Sequence, residues 1–144
     1  PSAQKRDQSL LQGTVLLVDD DPAVMKVLCL GLERMGLTVH GFTSAEEALE
    51  ALPMIQPQVI ITDLMLGEGM NGVQLADVVA ANHGNLPVIL VSGNPDQLLQ
   101  GEAYQRYAKN LLSKPFSQQK LAALVREKLE EQRQPSLETR IQSG

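Results

Sequence analysis

Three observations predict a doubly wound α/β fold with a parallel sheet. Short apolar runs recur along the 144-residue chain, and each is followed by a helical pattern. Several of these runs are apolar on both faces, as strands covered by helices on both sides must be. Each ends on a polar or charged residue, and right-handed crossovers place all such strand ends on one rim. The most informative run is the first, Thr14-Val15-Leu16-Leu17-Val18, which stops on Asp19, Asp20, Asp21 and Pro22. Acids gathered at the end of a buried strand repel one another, and a bound cation is the natural relief.

The elements follow in order. Residues 1–13 are polar apart from Leu10 and Leu11 and read as a linker; structure is expected from Thr14. After the first strand, Asp21 as N-cap and Pro22 at the first helical position start a helix with the stripe Val24, Leu28, Leu32 and Met35, which Gly36 ends. Residues 37–42 form a second, weakly patterned strand. Ser44 and Glu47 form a capping box for a helix that turns Ala45, Ala48, Leu49 and Leu52 inward, and Pro53 is expected to close it. Residues 59–62 make a third strand ending on Asp63, and a glycine-rich loop leads to a helix over 72–82 that Gly84 stops. The fourth strand, 87–91, ends on Ser92. A polar, loosely patterned helix is expected between Pro95 and Tyr107, then a brief strand over 110–113 that ends on Lys114. Pro115 breaks the chain, and Ser117 caps a last helix carrying Leu121, Leu124, Val125 and Leu129. Its charged continuation, Arg126 to Arg133, is read as solvated or frayed, and residues 134–144 as a flexible tail. The globular domain is therefore expected over 14–133.

Composition excludes several function classes. The net charge is −5, and Lys and Arg are scattered, so no basic face for nucleic acid is expected. Cys29 stands alone in a helical pattern, which leaves no disulfide framework and no cysteine metal site. No apolar stretch approaches the roughly 20 residues of a membrane span, and no secretory signal is visible, so a cytoplasmic domain without membrane contact is expected. A start at Pro1 reads as a piece of something longer.

Asp19, Asp20, Asp63, Ser92 and Lys114 each follow a strand directly, and open α/β sheets bind ligands at that edge. Four separated signatures stand in order: Val-Asp-Asp-Asp-Pro at 18–22, Thr-Asp-Leu-Met-Leu at 62–66, Val-Ser-Gly at 91–93 and Ser-Lys-Pro-Phe at 113–116. Together they resemble the receiver domain of two-component signalling, the phospho-acceptor module of response regulators and hybrid histidine kinases, over residues 14 to about 129. The resemblance implies a flavodoxin-like (βα)5 fold with a five-stranded parallel sheet of order 2-1-3-4-5.

It also implies roles. Asp63 would take a phosphoryl group and form an aspartyl phosphate. Asp20, Asp63 and the backbone carbonyl of Met65 would hold Mg2+, with Asp19 acting through water and Asp21 left as a helix cap. Lys114 and the Ser92 hydroxyl would stabilise the phosphoryl oxygens, with Gly93 leaving room beside them. His40 and His83 take ordinary structural readings, so the donor is expected to be a phosphohistidine on a histidine kinase or a histidine phosphotransfer domain. Phosphorylation would draw Ser92 toward Asp63 and bias the segment from 95 to 114. Such a module catalyses only its own phosphorylation and dephosphorylation and is not an enzyme in the ordinary sense.

The chain also departs from the family. Gly67 or its neighbour stands where a proline is common, and the stretch from Asp63 to Gly72 is one residue longer than in the simplest members. Leu111 occupies the position of a switching aromatic, for which Tyr104 or Tyr107 could substitute if they do not simply cover the core. Met65 cannot hydrogen-bond a hydrolytic water, so slow self-dephosphorylation is expected. The long loop and the helix start Gly72-Val73-Gln74-Leu75-Ala76 look most like receivers of hybrid histidine kinases. Three other functions fit these residues less well. An aspartate-nucleophile phosphohydrolase wants a second acid where Met65 stands. An FMN binder wants a phosphate loop and aromatics, against an aromatic content of 3%. A docking-only receiver has no need of the intact acids, Ser92 and Lys114.

Overall fold

Strand β1 (Thr14–Val18) is an interior strand of the sheet, paired in parallel with β2 (Thr38–Phe42) on one side and β3 (Val59–Asp63) on the other. Strands β4 (Val88–Ser92) and β5 (Leu111–Ser113) extend it, which gives the order β2-β1-β3-β4-β5 with all pairs parallel. The helices are α1 (Pro22–Arg34), α2 (Ala45–Ile55), α3 (Gly72–Asn82), α4 (Gly101–Tyr107) and α5 (Gln118–Ser143), with a 3-10 turn at Ala108–Asn110 before β5. This is a computed structural model; it describes residues 11–93 and 101–143, without side chains at 103, 104 and 133–143. The expected (βα)5 flavodoxin-like architecture and strand order are both present.

Alternation along the strands splits the core in two. Leu16 and Val18 of β1 face one layer with Ile60, Leu90, Leu52, Leu75 and Val79, whereas Val15 and Leu17 face the other with Ile61, Ile89, Leu32, Leu121 and Val125. Helices α2 and α3 thus cover one face, and α1 and α5 the other. Each fully buried aliphatic side chain contributes about 1.5–3 kcal/mol.

The helix starts follow local chemistry. The Asp21 carboxylate accepts from the amides of Ala23 at 3.0 Å and Val24 at 3.4 Å, with Pro22 in the first turn. Ser44 Oγ accepts from the Glu47 amide at 3.2 Å, but the reciprocal half of the expected box is replaced: the Glu47 carboxylate accepts from the hydroxyls of Thr43 and Ser44. A complete capping box instead joins Asn71 and Gln74 at the start of α3. Ser117 Oγ accepts from the Lys120 amide at 3.0 Å, as expected.

The structure corrects several expectations. Pro53 does not close α2, which runs to Ile55; a proline this near the end removes only one hydrogen bond, and the helix stops where Gln56 turns left-handed at φ 51°. The chain joins the fold before Thr14, because Leu11 donates its amide to Met35 O at 2.6 Å and Gly13 O accepts from Thr38 at 2.9 Å. The charged part of α5 is not uniformly solvated: Lys128 is 5% exposed, with Nζ 3.2 Å from Glu127 and 3.5 Å from Glu131. The backbone of α5 also continues through Pro135 to Ser143, across the segment expected as a tail. Its neighbours from Glu127 to Gln134 are good helix formers, and proline costs it one backbone bond there. Of the helix expected between Pro95 and Tyr107, Gly101–Tyr107 is helical; its first residues lie outside those described.

Candidate functional site

Register decides what shares the rim. Val18 pairs with Thr62 and Asp63 with Val91, so the residues that follow β1 lie level with the end of β3. Ser92 pairs with Ser113, and Lys114 donates its amide to Ser92 O at 2.8 Å. The predicted site residues Asp19, Asp20, Asp63, Ser92 and Lys114 therefore come together at one edge.

One carboxylate oxygen from each of Asp19, Asp20 and Asp63 can be chosen so that all lie within 4.8 Å of one another. Their environments differ. Asp19 is 3% exposed, Asp63 is half-buried and Asp20 is exposed. Burial pushes the Asp19 carboxyl above its ordinary value; the Asp21 amide, 2.9 Å from Oδ1, pulls it back down, and the charge of Asp63 pushes it up again. A cluster of acid oxygens with one member held at a desolvation cost is an all-oxygen donor set, and it fits a hard divalent cation.

Lys114 reaches across β4 to place Nζ 3.2 Å from Asp63 Oδ2. The other carboxylate oxygen, Oδ1, accepts from the Met65 amide at 3.3 Å, and the Met65 side chain stays exposed. Asp63 is thus oriented from both sides. Ser92 is buried beside it on β4. A Cβ built on Gly93 would meet no atom of the described residues within 4 Å.

Behind Asp63 lies Gly72, whose place at the start of a helix is legible in the sequence but whose role in packing is not. A Cβ built on Gly72 would lie 2.4 Å from Asp63 O, and the Gly72 amide donates to Leu64 O at 2.9 Å. Helix α3 can abut the end of β3 only because this position lacks a side chain. A glycine in the first helical turn, where better helix formers would serve, was the available signal.

Leu111 is half-buried and packs on the core near Tyr107, which is 9% exposed. The Tyr107 hydroxyl donates to Asp77 of α3, and Arg106 pairs with the same carboxylate at 3.2 Å. Tyr107 thus covers the core, as one of its two expected readings had it; the side chain of Tyr104 lies outside those described. No pattern in the sequence joins Asp77 to residues 29 and 30 positions later.

A family profile described as the response regulator receiver domain matches residues 15–126. The chain belongs to the response regulator receiver domain family. The receiver is 36% identical over 127 residues to the DNA-binding transcriptional regulator NtrC of Escherichia coli K12, covering 86% of this chain and 27% of that protein. It is 35% identical to the C4-dicarboxylate transport transcriptional regulatory protein DctD of Rhizobium meliloti, covering 88% and 27%. It spans about a quarter of the length of these relatives. A putative response regulator from Chloroflexus aurantiacus superposes with a TM-score of 0.74 at 30% identity, covering 83% of this chain and 99% of that one. The receiver domain protein from Clostridium thermocellum, 20% identical with a TM-score of 0.73 and coverage of 83% and 96%, shares the fold. These relatives include transcriptional regulators, and they do not single out the hybrid-kinase class.

Proposed function

We propose that this receiver accepts a phosphoryl group onto Asp63 from a phosphohistidine of a histidine kinase or histidine phosphotransfer domain, and that the modification switches its partner interactions. The observation that carries the reading is the contact of Lys114 with Asp63 beside two further acids. A carboxylate oxygen of Asp63 attacks phosphorus, the bond from phosphorus to the donor nitrogen breaks, and the imidazole leaves with a proton. Lys114 moves its charge from the Asp63 oxygen to a phosphoryl oxygen, and the Ser92 hydroxyl serves another. Asp20, Asp63 and the carbonyl of Met65 would hold Mg2+, with Asp19 acting through water. When bound, Mg2+ neutralises charge on the acids and on the incoming group.

The proposal carries with it a cytoplasmic location and no separate substrate, hence no enzymatic role beyond turnover of the receiver's own phosphate. Among the described residues no helix is long and apolar enough to cross a membrane. The transcriptional regulators among its relatives support a receiver that controls an effector, and the length of the loop after β3 supports the hybrid-kinase alternative. Incubation with Mg2+ and acetyl phosphate, followed by intact mass, tests the core of the reading. A single phosphoryl adduct, labile to hydroxylamine and absent from Asp63→Asn, is expected. No adduct with acetyl phosphate or with a phosphorylated histidine kinase would leave a docking role instead.

A further inference from the structure

The loop between β3 and α3 is held between two carboxylates from different elements. Its ends are fixed by packing: Leu66 is buried, and Met70 packs on the core layer beneath α2 and α3. Between them, Gly67 and Gly69 adopt φ of 68° and 86°, the left-handed region open to glycine. Each brings backbone against an acid. A Cβ on Gly67 would lie 3.1 Å from Asp20 Oδ2, and one on Gly69 would lie 2.9 Å from Glu46 Oε2. The same Glu46 oxygen accepts from the Met70 amide at 2.8 Å, a charge-assisted bond across 24 residues of sequence.

We infer that Glu46, in the first turn of α2, is a positioning residue for the cation site: it fixes the loop so that the backbone at Gly67 forms a wall against the Asp20 carboxylate. This rests on the assignment of Asp20 as a cation ligand. Glu46 stands outside the acid cluster and acts only through the loop. Two left-handed glycines give the loop the greatest conformational freedom available to a chain, and ordering it costs entropy that the Glu46 bond offsets. With the loop loose, Asp20 loses its neighbouring wall and binds the cation from a broader set of positions.

The test compares wild type with Glu46→Ala and Glu46→Gln, the latter keeping an acceptor oxygen for the Met70 amide. Amide hydrogen exchange without metal reads the tie itself, and calorimetric titration with MgCl2 reads the site. Loss of a hydrogen bond to a charged group predicts that Glu46→Ala speeds Met70 exchange by about tenfold and weakens Mg2+ binding by roughly three- to tenfold. Glu46→Gln, which keeps a neutral acceptor worth roughly half as much, should fall between wild type and Glu46→Ala in both readings, and exchange in β4 should be unchanged in either variant. Unaltered Met70 exchange in Glu46→Ala, or accelerated exchange with unaltered Mg2+ affinity, would overturn the inference. A wild-type protein that binds no Mg2+ overturns instead the reading of the acid cluster on which it rests.

Discussion

The phenol of Tyr107, at the end of α4, donates its hydrogen bond to the carboxylate of Asp77 on α3, and the Arg106 guanidinium lies 5.4 Å from the Tyr107 ring centroid while pairing with the same acid. Burial, followed by the bond to Asp77 and its charge, pushes the Tyr107 hydroxyl from 10.0 up to about 12. Between these values the folded protein keeps a proton that the unfolded chain has released, so stability falls as pH rises through that window. The fall should be on the order of 2 kcal/mol. Tyr107→Phe should cost about 1–2 kcal/mol at neutral pH and flatten the alkaline slope, read by urea denaturation at a series of pH values. A Phe variant with an unchanged slope would assign the slope to other groups.

Asp19 gives a second pH signature with a different origin. Its folded value lies above the ordinary 3.8 because burial disfavours the charge. The unfolded chain therefore loses this proton first, and stability falls as pH rises from 3.8 through the folded value. Asp19→Asn should raise the stability of the metal-free protein at neutral pH. A cation in the cluster acts in the same sense on the native protein, adding about 2.7 kcal/mol at one hundred times its dissociation constant. Thermal melts with and without MgCl2 measure both, and a lower melting point for metal-free Asp19→Asn would contradict the assignment.

Lys114 holds Asp63 in the resting protein and is expected to meet the phosphoryl group after transfer. Lys114→Ala should slow phosphoryl uptake from acetyl phosphate on the order of tenfold to a hundredfold. The loss of one partly exposed ion pair should change folding stability by only about 1 kcal/mol or less. Time-resolved intact mass separates the two effects, and an uptake rate equal to wild type would remove Lys114 from the site.

Gly72 couples packing to position. A methyl group there would have to displace Asp63 O, 2.4 Å away, or lift α3 from the sheet. Gly72→Ala should cost about 1–3 kcal/mol as an overpacking change. Phosphoryl uptake should fall as well, because the end of β3 moves with the acceptor. A variant that loses stability but keeps the wild-type uptake rate would show that the displacement is taken up by α3.

Met65 bears on phosphoryl lifetime. Its side chain is exposed at 59% and offers no hydrogen bond to an attacking water. Met65→Asn should shorten the lifetime of the phosphorylated form several-fold, followed by the decay of the adduct mass after removal of the donor. An adduct lost from wild type within seconds would exclude the slow hydrolysis expected of this residue.

The alternation of strands and helices, the strand-end placement of Asp19, Asp20, Asp63, Ser92 and Lys114, and the caps at Asp21 and Ser117 were all legible in the chain before it folded. These are local properties: hydrophobic period, helix capping and turn chemistry act over a few residues, and a parallel sheet then sends every strand end to the same edge. The chain read less well where a local rule met a competing one. Pro53 looked like a stop, yet a proline in the last turn removes too little to end a helix that Gln56 terminates. Lys128 looked solvated, yet two glutamates on its own helix neutralise it in a buried position. That Asp77 answers Tyr107, that Gly72 lies against the Asp63 carbonyl, and that Glu46 accepts from the Met70 amide is visible only in three dimensions. Those contacts join residues 9 to 30 positions apart, and they depend on the angle and separation at which helices settle on the sheet. Side-chain packing sets both, and no short-range pattern encodes them.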